Sequence, residues 1–361
     1  MKKKIVSVIL TAVLGTTLLT GCGGTGAADT SSADSAQSED TETSGAVEKE
    51  GETGTDSAAE RDEGAVLRIA GQSSDILFAP IAIADEKGYL EEELAAIGAT
   101  YEWSTFESGP AANEAVAAGE ADISYMADLP AIVAKSSGMN LELIAGLGLG
   151  EKTTAVLVPK DSDIKSVADL KGKTIGYLFG TYNQHLLALL LEQEGLTLDD
   201  VESINLTNQD HETALLNGDI DASVTCDPNL TKFKNDDTVT VLADGQGIKR
   251  SNMVVYSDAD YAAAHPLVIQ ALIKALDRAV DYIENNKEEA VNLIAERSGQ
   301  DPANIEEIIE GMIYTTDLTQ DDIDEIEKVK NFSLDNEIIT NDFDINDFIN
   351  TTYLEAVRGN E

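Results

Sequence analysis

Asp128 and Asp227 are the residues whose type and placement most directly suggest chemistry, because each closes a copy of one pattern. The pattern is Ala, three residues, Gly, an acid, one residue, Asp, one residue, Ser, and Asp four positions later. The first copy runs from Ala115 through Gly119, Asp122 and Ser124 to Asp128, and the second from Ala214 through Gly218, Asp221 and Ser223 to Asp227. Pro130 and Pro228 follow closely. Two carboxylates near one pocket would repel a bare oxyanion. They would instead hold an ammonium, an amidine or the N–H of an aminopyrimidine through charge-assisted hydrogen bonds. The alternative for each aspartate is to cap the helix that follows.

Each copy reads as a helix end, a glycine cap and a buried strand. In doubly wound sheets ligands sit outside the carboxyl ends of strands. That rule selects Gln72, Ser73 and Ser74 after one strand, and the stretch from Phe106 to Gly109, with Ser108, after the next. It also selects Met126 to Asp128, Gly148, the stretch Gly180, Thr181, Tyr182 and Asn183, and the stretch from Thr225 to Asp227. Helices starting at Ser108 and Thr181 would turn backbone N–H groups and a positive dipole end toward an oxyanion. The hydroxyls of Ser73, Ser74, Ser108 and Thr181 either donate to a ligand or cap their helices. Phe78, Trp103, Tyr125, Phe179 and Tyr182 either stack on a ring or fill the core. Lys249-Arg250 reads as a solvated pair, with capture of an acidic group as the alternative. His185, His211 and Cys226 could form a metal or nucleophilic site if the fold gathered them. Their spacing does not demand it, and the chain has neither a phosphate loop nor an HExxH motif. No cofactor and no enzymatic activity are expected.

The elements that must position these groups alternate. Strands are predicted over 66–70, 99–103, 141–145, 173–177 and 201–206, and helices over 78–87, 108–118, 129–135 and 185–194. Strand-helix alternation implies parallel sheets with right-handed crossovers. The stretches 153–158 and 251–256 are β-like and placed to connect two lobes. From His265 onward the chain is helical, with helices over 267–285, from Pro302, and over 321–330, and these are expected to pack on the first lobe.

At 361 residues the chain has room for two domains. Its formal net charge of −43 argues against nucleic acid and anionic membrane surfaces as partners. Lys2, Lys3 and Lys4 precede an apolar run too short for a comfortable membrane span. That run ends in Leu19-Thr20-Gly21-Cys22, which resembles the bacterial lipobox; the resemblance implies cleavage before Cys22 and its lipidation. The segment 23–64 is rich in Ser, Thr, Ala, Gly and acids, and reads as a disordered, self-repelling tether. With Cys22 lipidated, Cys226 stands alone and no intrachain disulfide forms. The expected organisation is a signal peptide over 1–21, a lipidated cysteine and acidic linker over 22–64, lobe 1 over 65–153 plus 250–361, and lobe 2 over 154–249.

From residue 67 to about 256 the chain resembles the nitrate, sulfonate, taurine and thiamine-precursor branch of ABC-transporter substrate-binding proteins. Carrying the resemblance are Gly88-Tyr89-Leu90, Trp103-Ser104-Thr105-Phe106-Glu107-Ser108-Gly109 and Ala118-Gly119-Glu120-Ala121-Asp122-Ile123. Ser166-Val167-Ala168-Asp169-Leu170-Lys171-Gly172-Lys173, Gly218-Asp219-Ile220-Asp221-Ala222 and Asp227-Pro228 complete it. It implies a type II periplasmic-binding-protein-like α/β fold of two lobes joined by two crossover strands. These lobes would close on a small solute and present it to a membrane permease. Family weight favours a small sulfonate or taurine-like solute, with an aminopyrimidine thiamine precursor as the alternative. A ligand-sensing lipoprotein is a further possibility. The expected state is a monomer, lipid-anchored on the extracytoplasmic face of the cell membrane. The chain departs from the family pattern at Cys226, where a Trp is usual, at Gly180-Thr181-Tyr182-Asn183 and at Met126-Ala127-Asp128.

Overall fold

The computed structural model describes residues 61–72, 76–207 and 209–359. The targeting segment, Cys22 and the tether up to residue 60 lie outside the described residues, as do Ser73 and Ser74. The chain builds two sheets and crosses between them twice. It lays down β1 (Val66–Gln72), β2 (Thr100–Phe106), β3 (Ile123–Ala127) and β4 (Leu141–Gly150) in the first sheet. The second sheet takes β5 (Thr154–Pro159), β6 (Thr174–Tyr177), β7 (Glu202–Asn205), β8 (Ala222–Cys226) and β9 (Val239–Asp244), and β10 (Ser251–Asp258) returns to the first. The strand orders are β2-β1-β3-β10-β4 and β7-β6-β8-β5-β9.

The sheets are mixed, which corrects the expectation of parallel ones. β10 runs antiparallel to β3 and β4, and β5 antiparallel to β8 and β9. The reason is directional. β4 ends on the side where β1 and β3 end, so the chain enters the second sheet from that side, and β5 must run opposite to β6 and β8. β10 repeats this on the return, at the equivalent place in the first sheet.

Helices α1 (Ala79–Glu86), α2 (Tyr89–Ala96), α3 (Gly109–Ala117) and α4 (Asp128–Ser136) belong to the first sheet. Those of the second are α5 (Tyr182–Gln193), α6 (His211–Asn217) and α7 (Asn229–Asn235). The C-terminal third adds α8 (Ala259–Ala264), α9 (Pro266–Asn285), α10 (Lys287–Ser298), α11 (Pro302–Glu310), α12 (Gln320–Asp335) and α13 (Thr352–Arg358). α9 packs on α1 and α2, and α12 on α4, so this third covers the first lobe, while α11 also reaches α7 of the second. α5 starts three residues before the expected 185 because its first turn, Tyr182-Asn183-Gln184, is not part of the apolar run that signalled the helix.

Side chains alternate across each strand, so each sheet separates two cores. Ile123, Tyr125 and Ala127 of β3 face one, and Met126 the other. In β5, Val156 and Val158 face one core, and Ala155 and Leu157 the other. Both faces of each sheet are therefore covered at its centre, where β3, β5 and β8 are buried along nearly their whole length, while the edge strands β2 and β7 stay largely exposed or half-buried.

The repeated stretch does the same work twice. Gly119 and Gly218 end their helices at φ +71° and +77°, where a Cβ would be strained. Asp122 then accepts the amide of Arg68 at 2.8 Å, and Asp221 that of Thr174 at 2.9 Å. Each aspartate thus pins its own strand, the central one of its sheet, to the neighbouring parallel strand, β1 or β6.

Candidate functional site

A cavity of about 360 Å³ opens between the two sheets. Of the residues selected from sequence, Gln72, Phe78, Ser108, Gly109, Met126, Thr181, Tyr182, Asn183 and Asp227 line it. They come from β1, α1, α3, β3, α5 and β8, hence from both lobes. The lobes also touch here: Tyr182 and Cys226 of the second lobe pack into the same apolar cluster as Leu77 and Phe78 of the first.

Helices α1, α3 and α5 begin at the cavity, as do α4 and α7, whose preceding residues Ala127 and Pro228 also line it. Phe78, Ser108 and Thr181 are the residues that precede α1, α3 and α5, and none gives its helix a side-chain cap. Ser108 thus stands at the N-cap position of α3, but its hydroxyl makes no capping bond. Thr181 Oγ1 donates instead to the Leu178 carbonyl at 2.7 Å. The positive ends of these helix dipoles converge on one space, an arrangement that favours an anionic group. Gln72 is held in place by its own bond, Nε2 donating to the Tyr125 carbonyl at 2.5 Å. Gly109 sits close under Met126 and Pro130, whose Cβ atoms lie 3.4 Å from where a side chain would begin.

The charge of the lining is one-sided. Glu107 and Asp227 line the cavity, and among the described residues no Lys or Arg does. Asp227 both faces the cavity and caps α7, accepting the Thr231 amide at 3.0 Å. Burial pushes its carboxyl up to about 6, against the opposing effect of the Thr231 bonds. Burial likewise pushes the Cys226 thiol up to about 11.

Asp128 is not brought to the cavity. It is fully buried at the start of α4, where Oδ1 accepts the Leu129 amide at 2.8 Å and Oδ2 accepts Asn252 Nδ2 at 3.0 Å. The Lys249 ammonium lies 3.7 Å from Oδ1. The pair Lys249-Arg250 is therefore not solvated. Lys249 is buried, its ammonium lowered by that burial against the pull of Asp128, and Arg250 donates to Asp322 at 2.6 Å. Phe106, Gly180, Thr225 and Gly148 also lie outside the lining. Phe106 packs on the core beside α3 and Thr225 is buried within β8. Gly180 turns at φ +69° and donates to Gln184, and Gly148 pairs with Met253. Trp103 and Tyr125 stack together at 6.0 Å, and Phe179 on Tyr177 at 4.9 Å, so Phe78 and Tyr182 are the cavity's aromatics.

The fold does not gather the two histidines and the cysteine. His185 stacks on Phe332 at 4.2 Å, and burial with the nearby Lys249 charge pushes it down to about 2. His211 Nδ1 bonds Ser223 Oγ at 2.6 Å, and burial takes it down to about 4. Among the described residues no group of three or more His, Cys, Asp or Glu could hold a metal ion. Also lining the cavity, though missed from sequence, are Leu77, Pro110, Pro130, Leu178, Thr207, Gln209, Pro228, Asn229 and Gln300. Thr207 and Gln209 follow β7, and the strand-end rule applied there would have found them. Gln300 carried no sequence signal.

Two mixed α/β sheets, each with its own pair of cores, joined by two crossings and closing on one cavity, define a type II periplasmic-binding-protein-like fold. The chain belongs to the NMT1/THI5-like family, whose profile matches residues 76–290. It is 28% identical over 214 residues to an Escherichia coli (strain K12) protein, covering 59% of this chain and 65% of that one. It is 26% identical over 291 residues to one from Bacillus subtilis (strain 168), covering 80% of this chain and 87% of that one. Each is named "Putative aliphatic sulfonates-binding protein". The alkanesulfonate-binding protein SsuA from Xanthomonas axonopodis pv. citri, solved bound to MOPS, superposes with a TM-score of 0.74 at 24% identity. That alignment covers 81% of this chain and all of the other.

Proposed function

We propose that this chain is the extracytoplasmic solute-binding component of an ABC importer and that it captures a small sulfonate or taurine-like solute by lobe closure. The observation that carries the reading is the convergence of α1, α3 and α5 on one cavity bounded by both lobes. Helix dipoles favour an oxyanion without a cationic side chain, and the relatives' names point to sulfonates. A solute touching both lobes shifts the population toward the closed form that a permease would recognise. Within this reading the protein is not an enzyme, Cys22 carries the lipid anchor, and the domains divide as the sequence suggests.

Asp227, Glu107 and the rings of Phe78 and Tyr182 favour a second reading. They suit a solute with a cationic or N–H-bearing end, either the amine of an aminosulfonate or an aminopyrimidine. A thermal-shift panel of taurine, ethanesulfonate, an aminopyrimidine, nitrate and bicarbonate separates these. Ligand at 100 times its Kd stabilises by about 2.7 kcal/mol. The sulfonate reading expects a rise in Tm with taurine or ethanesulfonate; a rise with the aminopyrimidine alone would replace it by the second.

A further inference from the structure

Gln300 reaches the cavity from a part of the chain beyond the family match, which ends at residue 290. Its backbone is fixed on both sides. Gly299 ends α10 at φ +66°, and Asp301 caps α11 by accepting the Ala303 amide at 2.9 Å. A residue between a helix stop and a helix start has little freedom to relocate. Its position follows that of α11.

α11 in turn holds the opposite lobe. Asn235 Nδ2 donates to Asn304 Oδ1 at 2.7 Å, and Lys234 Nζ donates to Glu307 Oε1 at 2.5 Å. Asn304 and Glu307 are three residues apart and share one face of α11. Lys234 and Asn235 end α7, whose first residue, Asn229, lines the cavity just after Asp227. Both partners in the contact are therefore attached to cavity wall. The Lys234 and Glu307 side chains are 39% and 44% exposed. An ion pair that open to water is weak and screened by salt, which suits a contact that forms and breaks.

We propose that Gln300 is a solute-contacting, specificity-determining residue, delivered to the cavity when the α7–α11 pairs latch the lobes together. The solute contact rests on the function proposed above; the latch does not. When the latch is formed, the Gln300 amide faces the solute with both a donor and an acceptor. When it opens, the wall that α11 carries withdraws with it.

The latch is tested on the full chain without solute, by hydrogen exchange over residues 107–112, a segment outside both helices of the latch whose Glu107, Ser108, Gly109 and Pro110 line the cavity. Asn304→Ala combined with Glu307→Ala should raise exchange there several-fold. The swap Lys234→Glu with Glu307→Lys should return it to the wild-type level. Exchange that rises only within α7 and α11 overturns the latch. For the contact, Gln300→Ala is titrated with taurine and ethanesulfonate by calorimetry. The expected result is a 2- to 10-fold weaker Kd for at least one of them, with solute-free exchange over 107–112 unchanged. A variant that binds both as the wild type does overturns the contact. A wild type that binds neither overturns the sulfonate reading itself and the contact with it, while the exchange result still decides the latch.

Discussion

The Asp128 carboxylate and the Lys249 ammonium lie 3.7 Å apart, both buried, between the end of β3 and the start of β10. Asn252, at the entry to β10, donates to the same carboxylate. One of the two repeated aspartates thus ties down the second crossing between the lobes, while its counterpart Asp227 faces the cavity.

Removing one partner of this pair should be costly. Lys249→Met leaves a buried carboxylate without its counter-ion, and such breaks cost about 3–5 kcal/mol. Urea unfolding should report that loss. Asp128→Asn combined with Lys249→Met removes both charges and should recover most of it. A single variant that loses less than about 1 kcal/mol would show that the pair is not what holds the crossing.

Asp227 should make stability fall as pH rises. Its folded value of about 6 stands above the ordinary 3.8, so the native state holds the proton more tightly. The stabilisation is complete below pH 3.8 and is lost as pH climbs through 6, amounting to about 3 kcal/mol at about 1.36 kcal/mol per pH unit. Asp227→Asn should flatten stability across that window. If the ionised carboxylate holds an amine, taurine affinity should rise between pH 5 and 7 while ethanesulfonate affinity does not; parallel titration curves for the two would exclude that contact.

Ser108 provides a test of the anion end. Its hydroxyl gives α3 no capping bond, so Ser108→Ala should leave Tm within about 1 °C. A lost neutral hydrogen bond is worth about 0.5–1.5 kcal/mol, so sulfonate affinity should weaken by about 2- to 10-fold. Calorimetry decides: unchanged affinity with unchanged Tm would place the sulfonate away from α3.

Cys226 should be a slow nucleophile in the folded chain. Raising the thiol from 9.0 to about 11 lowers its thiolate fraction at pH 8 by about 100-fold, before access is considered. Iodoacetamide followed by peptide mass spectrometry should find Cys226 unmodified in buffer and alkylated in urea. Equal rates in the two would mean that the thiol is neither buried nor raised.

The order of strands and helices was legible because each element carries its own period and its own stop: Gly88, Gly119, Gly195 and Gly218 mark helix ends in the sequence and do so in the fold. The strand-end rule found Gln72, Ser108, Gly109, Met126, Thr181, Asn183 and Asp227 because the carboxyl end of a strand is a local property. It also selected Asp128, Thr225 and Gly148, since a strand end has an inward side and an outward side and the rule does not distinguish them. Gln300 was invisible because it reaches the cavity from a distant segment through the packing of α11 on α7.

The sequence by itself determined the class of fold and the places where two lobes would meet, since the repeated stretch and its glycine caps act over short distances. Only the tertiary structure decided which of the matched aspartates faces the cavity. Asp128 and Asp227 stand at equivalent positions after equivalent strands, the one opening α4 and the other followed directly by Pro228. Their difference comes from Lys249 and Asn252, more than a hundred residues away, which reach Asp128 only after the chain has gone through the second lobe and returned. A buried carboxylate needs a partner, and the crossing segment provides one for Asp128, whereas Asp227 is left with a helix amide and an open face on the cavity.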